Sequence, residues 1–187
     1  MPINIPNLLT WARIVLIPVV VGVFYVGLPA HEANFIATAA FLVAAITDWF
    51  DGWLARKLGQ TSAFGAFLDP VADKLMVAAA LVVLVKLNRA DAALAIIIIG
   101  REIAISALRE WMASIGERKS IAVSFIGKLK TTAQMTAIPL LLYQDPIGPL
   151  NVHLAGILLL WIAAVLTLWS MFYYLRKAWP IISAHSR

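Results

Sequence analysis

Cysteine is absent from this chain of 187 residues, which excludes disulfides and thiolate metal sites and leaves no sign of a redox compartment. Charge is scarce as well. Asp, Glu, Lys and Arg make up 13% of the residues, against about 25% in a soluble globular chain. Hydrophobic residues make up 62%, and mean hydropathy is +0.88. Such a balance describes an integral membrane protein. Histidine is limited to His31, His153 and His185, which the pattern places in loops or the tail, solvated and away from other ligands. Zinc chemistry therefore has no ligand set. Internal repeats and low-complexity segments are also missing, and the length suits a single bundle-sized domain over residues 1–187. The net charge of +5 does not point to nucleic acid, because the basic residues are scattered among apolar runs. It fits loop bias and contact with anionic membrane lipid. The first apolar segment lacks a basic leader and is expected to be a retained span, not a signal peptide.

What is present is a series of six apolar runs long enough to cross a bilayer, at about 14–30, 35–56, 63–86, 92–112, 121–143 and 154–175. Residues 4–10 read as a short interfacial stretch, with Asn7 or Thr10 able to cap the first helix. Pro18 and Pro70 are expected to kink or loosen the helices that hold them. Arg56, Lys57, Arg118, Lys119, Arg176 and Lys177 follow the second, fourth and sixth spans, whereas the loops after the first and fifth carry no Lys or Arg. Lys86 and Arg89, after the third span, run against this bias. The positive-inside rule then puts both termini in the cytoplasm. With that orientation, Arg13, Asp48, Asp51, Arg56, Asp69, Asp73, Arg101, Arg109, Lys128 and Lys130 all fall in one half of the membrane. The expected fold is all-α: a polytopic bundle of six transmembrane helices, with a polar cavity on the cytoplasmic side that opens sideways to lipid.

Four carboxylates dominate that half. A carboxylate in hydrocarbon costs several kcal/mol unless paired, hydrated or metal-bound, so ionisable residues there are functional candidates by default. Asp48 and Asp51 are spaced i, i+3, and Asp69 and Asp73 i, i+4, so each pair shares a helix face. The short connection makes their helices antiparallel neighbours. Four such groups need a counter-charge to stay ionised together. An all-oxygen set suits Mg²⁺ or Mn²⁺, and two ions about 3.5–4 Å apart are the arrangement that stabilises in-line displacement at phosphorus. Gly52 and Gly65 offer bare backbone for close approach, and Arg56, one turn beyond Gly52, can hold a phosphate. Lys74 is expected to neutralise Asp69 or Asp73, and the seven Trp to serve interfacial packing.

Residues 48–73 read D-x₂-D-G-x₂-A-R-x₈-G-x₃-D-x₃-D and so resemble, position for position, the signature of the CDP-alcohol phosphatidyltransferases. The segments around Asn4–Thr10, Arg101–Glu110 and Gly127–Gln134 resemble the bacterial branch of that family whose acceptor is glycerol 3-phosphate. The resemblance implies transfer of the phosphatidyl group from CDP-diacylglycerol to sn-glycerol 3-phosphate, giving phosphatidylglycerophosphate and CMP. It further implies metal binding by Asp48, Asp51, Asp69 and Asp73, with Asp73 also the base that deprotonates the acceptor hydroxyl. Asp48, Gly52, Arg56 and Ser62 occupy the positions that hold the CDP moiety in the family. A bacterial inner-membrane site and a homodimer are further implications.

The acceptor phosphate is a dianion, and Arg101, Arg109, Lys128 and Lys130 are the basic residues at the right depth to bind it. Against these stand blander readings: Arg101 and Arg109 pairing with Glu102, Glu110 or the aspartates, and Lys128 and Lys130 anchoring at the interface. Competing functions are the same chemistry with another acceptor (a cardiolipin, phosphatidylinositol-phosphate or phosphatidylserine synthase) and a divalent-cation transporter. Transport calls for polar residues through the full membrane depth, and the outer halves of the spans are apolar.

Overall fold

In hydrocarbon a backbone amide must find its partner within the chain, and long apolar runs do so as helices. A computed structural model describes residues 5–58, 63–117 and 125–185, and these form six helices with no strand among the described residues. They are α1 (Ile5–Gly22, continued by a 3-10 turn at Val23–Tyr25), α2 (Ala30–Leu58), α3 (Ala63–Lys86), α4 (Ala92–Ser114), α5 (Phe125–Tyr143) and α6 (Val152–His185). Leu8–Tyr25, Ala30–Asp48 and Val152–Ser183 are each long and apolar enough to cross a bilayer. The remaining three helices carry more charge within their apolar runs, including Asp69, Asp73 and Lys74 on α3, Arg101 and Glu102 on α4, and Lys128 and Lys130 on α5. The protein is a membrane helical bundle.

The main core draws on every helix, with Phe41, Leu81, Leu94, Ile98, Leu141 and Leu160 fully or almost fully buried. A smaller cluster of Ile105, Met112, Tyr174 and Ala178 joins α4 to α6 at the charged end. The α5–α6 hairpin is the tightest packing. There a Cβ on Gly156 would come within 2.7 Å of Leu141 Cγ, so only glycine lets the two helices meet at that distance.

Several expectations shift. The first helix begins at Ile5 and runs through both Asn7 and Thr10, so neither caps it. Thr10 is buried instead, turned toward α3. Helices α1 and α3 continue past Pro18 and Pro70. The sixth helix does not stop at 175 but extends to His185, because Ala178, Ile181 and Ile182 pack into the α4–α6 cluster. His153 is half-buried, and its Nδ1 is enclosed without a hydrogen-bond partner among the described residues, so it is not a solvated loop residue. His31 is exposed as expected, but its Nδ1 lies 2.6 Å from Asp145. The sequence positions 59–62, Arg118, Lys119 and 121–124 lie outside the described residues.

The two basic residues that break the loop bias have structural work at the opposite end. Asn88 adopts φ 57°, a left-handed turn that Asn tolerates, and this turns Arg89 back over the bundle. Its guanidinium donates to the carbonyls of Leu142 (2.8 Å) and Leu141 (3.4 Å) and to Asn34 Oδ1 (2.8 Å). Arg89 thus satisfies carbonyls in the last turn of α5 and ties that helix to α2, with the helix dipole in its favour. Burial lowers its pKa from the ordinary value and Asp145 draws it back, but a guanidinium stays charged at neutral pH. Lys86 rests over the Tyr25 ring, 3.2 Å from its centroid.

Candidate active site

Thr10 and Arg13 are spaced i, i+3, so one face of α1 presents both toward α3. The Thr10 hydroxyl donates to Asp69 Oδ1. Arg13, 1% exposed, places NH1 2.5 Å from Asp73 Oδ1 and 3.1 Å from Asp48 Oδ1. Two carboxylates from different helices therefore meet at one guanidinium nitrogen. Both stay 45% exposed, open to the cavity, while the arginine beneath them is sealed in protein. A buried guanidinium is tolerable only when its charge is met, and the two carboxylates do this at NH1.

The cavity has a volume of about 320 Å³, and Arg13, Asp48, Asp73, Lys74, Glu102 and Gln134 are among the residues on its wall. Lys74 does not neutralise the aspartates as expected. Arg13 has taken that place, and the Lys74 ammonium donates across to Ser106 on α4. Asp51 follows Asp48 by three residues on α2, with Gly52 and Arg56 after it; their side chains, and all of Ser62, lie outside the described residues.

The donor set can be tested against the divalent cation that the sequence implies. One positive nitrogen already sits between Asp48 and Asp73, so the two carboxylates can share a cation, and both offer hard oxygen to the cavity. Among the described residues no three acidic or histidine side chains cluster closely enough to hold an ion, a set that does not include the side chain of Asp51. The described carboxylates of Asp48 and Asp73 fit a hard divalent ion, which they would hold between them.

Of the four basic candidates, three come together and one does not. Arg101 is buried, donates to Ser170 Oγ on α6 at 2.9 Å and lies 3.9 Å from Glu102. Arg109 donates to the Tyr174 hydroxyl at 3.3 Å. Both guanidiniums lie over the Tyr174 ring, 5.8 and 5.2 Å from its centroid. Lys130, 2% exposed, is paired with Glu102. Lys128 points elsewhere and is exposed, as an interfacial anchor would be. The group Arg101, Arg109 and Lys130 with Glu102 carries a formal charge of +2, the complement of a dianion.

Sequence reasoning missed four participants. Arg13 was legible as a charge at the right depth but not as the partner of two aspartates. Thr10 gave no signal, since a lone Thr reads as a cap. Ser170 and Tyr174 lie in a run of 22 residues without a charge, where only their i, i+4 spacing of hydroxyls hints at a polar face.

Residues 3–169 match the family model described as CDP-alcohol phosphatidyltransferase. The chain is 54% identical over 180 residues to the CDP-diacylglycerol–glycerol-3-phosphate 3-phosphatidyltransferase of Escherichia coli (strain K12), covering 95% of this chain and 96% of that protein. It is similar to the same degree and over the same shares to the proteins of that name from Shigella sonnei (strain Ss046) and Salmonella choleraesuis (strain SC-B67).

Proposed function

The chain belongs to the CDP-alcohol phosphatidyltransferase family, and from that membership we propose that it transfers the phosphatidyl group of CDP-diacylglycerol to sn-glycerol 3-phosphate, releasing CMP. The observation that carries this reading is the meeting of Asp48 and Asp73 on one wall of a cavity that Glu102, at the edge of the cation group, also lines.

The chemistry is a displacement at phosphorus. The acceptor hydroxyl oxygen forms a bond to the phosphatidyl phosphorus as the bond from that phosphorus to the oxygen bridging to CMP breaks. The hydroxyl proton passes to Asp73, and the electron pair of the broken bond leaves with CMP. The family uses divalent metal ions. Asp48, Asp51, Asp69 and Asp73 would hold a Mg²⁺ or Mn²⁺ pair, which would supply charge neutralisation for the pyrophosphate and the leaving phosphate. Asp73 takes the proton because its carboxylate is half open to the cavity, within reach of a hydroxyl there. Arg13 fixes Asp48 and Asp73 in register, and Thr10 fixes Asp69. Gly52, Arg56 and Ser62 hold the CDP moiety with Asp48. Arg101, Arg109 and Lys130 hold the acceptor phosphate by charge-assisted bonds, and Lys128 anchors α5 at the membrane surface. The protein is a multi-pass component of the bacterial inner membrane, with both termini and the cavity facing the cytoplasm. The outward placement of Arg89 as a buried helix cap supports this orientation by removing it from the loop-charge count.

The test is CMP release by purified protein given CDP-diacylglycerol and one acceptor at a time: glycerol 3-phosphate, phosphatidylglycerol, serine, inositol or inositol phosphate. Release with glycerol 3-phosphate alone is expected; release only with another acceptor would overturn the assignment of the cation group.

A further inference from the structure

Gln134 sits on α5, one turn beyond Lys130, and is only 3% exposed. It lines the cavity together with Asp48, Asp73 and Glu102, among apolar neighbours such as Met76 and Met135. Its side-chain carbonyl oxygen is enclosed and has no hydrogen-bond partner among the described residues. A buried amide left unsatisfied costs about 1–3 kcal/mol, and such groups are rare in folded proteins. The wall that holds it would be served as well by leucine or methionine if packing were the only need. An orphaned carbonyl oxygen on a residue that lines a cavity is the mark of a group that receives its partner from a ligand.

Sites elsewhere on the wall are spoken for. The carboxylates serve the reacting phosphates, and the cations beyond Glu102 serve the acceptor phosphate. A short polyol phosphate spanning those two places carries, besides its phosphate and the attacking terminal hydroxyl, a hydroxyl on its central carbon. On the basis of the acceptor assignment above, we propose that Gln134 reads this non-reacting hydroxyl and is a specificity residue for a polyol phosphate. An amide offers one acceptor and two donors, so it can accept from that hydroxyl, donate to it, or both. Sites built to hydrogen-bond a hydroxyl reject analogues that lack it, because the buried polar group is then left unpaired.

The experiment crosses one residue with one substrate atom. CMP release is measured with sn-glycerol 3-phosphate and with 3-hydroxypropyl phosphate, which keeps the phosphate and the terminal hydroxyl but lacks the central one. The parent protein should prefer glycerol 3-phosphate by about 10- to 100-fold in kcat/KM. Gln134→Met, close in shape and apolar, should reduce that preference to near unity, chiefly by losing rate with glycerol 3-phosphate. Gln134→Glu, which keeps an oxygen acceptor, should retain part of it. The KM for CDP-diacylglycerol should stay put in both variants, which separates a local effect from a folding defect. If Gln134→Met lowers the rate with both acceptors by the same factor, or if the parent does not discriminate, the proposal is overturned. A parent inactive with both but active with a different acceptor class would instead overturn the acceptor assignment, and the proposal with it. Should Gln134→Met not fold, Gln134→Glu alone decides by the change in the ratio.

Discussion

Replacing Arg13 by methionine keeps an unbranched apolar stem in its buried slot and removes the charge that Asp48 and Asp73 share. In the structure NH1 lies 3.1 and 2.5 Å from those carboxylates, and the arginine is 1% exposed. Removing one partner of a buried ion pair costs about 3–5 kcal/mol. Here both carboxylates are 45% exposed, so water re-solvates part of the charge left behind, and the apolar replacement spares burying a guanidinium. We therefore expect a loss of about 2–3 kcal/mol, which for a chain of this size is about 5–10 °C in melting temperature. The direction of the metal response is the sharper test. Two carboxylates deprived of their counter-charge repel each other and bind a divalent cation more eagerly. Thermal unfolding in detergent, with Mg²⁺ and with chelator, should show a larger Mg²⁺-dependent rise in melting temperature for Arg13→Met than for the parent. Arg13→Lys should fall between the two, since an ammonium supplies charge without the planar fork. A methionine variant as stable as the parent, with an unchanged metal response, would refute the view that Arg13 organises the carboxylates.

Other outcomes follow from separate parts of the molecule. Glu102→Gln removes the anion paired with Lys130 and takes the cation group from +2 to +3, so inorganic phosphate should inhibit the variant at about 5- to 10-fold lower concentration, read from a competition assay. Arg89→Met leaves two α5 carbonyls and Asn34 without their donor and should cost about 2–4 kcal/mol of stability while leaving the KM of both substrates unchanged. Gly156→Val forces a side chain against Leu141, and a loss of about 1–3 kcal/mol should appear in the melting temperature, again with no change in KM.

The fold was legible where composition alone decides it. Six apolar runs became six helices, and the third span, 63–86, has the same bounds in both readings. The ends were less legible, because they depend on partners far along the chain. The 4–10 stretch reads as an interfacial lead-in until Thr10 meets Asp69, and 176–185 reads as a tail until Ile181 and Ile182 meet α4. The carboxylates stood out because charge in hydrocarbon is conspicuous. Their partners did not: Arg13 is 35 residues from Asp48 and 60 from Asp73, and nothing local indicates that it, and not Lys74, is their counter-ion. Lys128 and Lys130 looked alike in sequence, yet two residues on a helix are about 200° apart, which sends one outward and the other to Glu102. Gln134 was only part of a resemblance until its burial and its missing partner gave it a chemical meaning.

The most direct test of the central claim is CMP release from CDP-diacylglycerol and glycerol 3-phosphate by folded protein, with Mg²⁺ and with chelator, for the parent and for Asp73→Asn. The claim requires release by the parent that depends on the metal, and a rate for the variant lower by about 10²–10⁴-fold, as expected when a positioned base is lost. Metal-independent release, or an Asp73→Asn variant as fast as the parent, would contradict it.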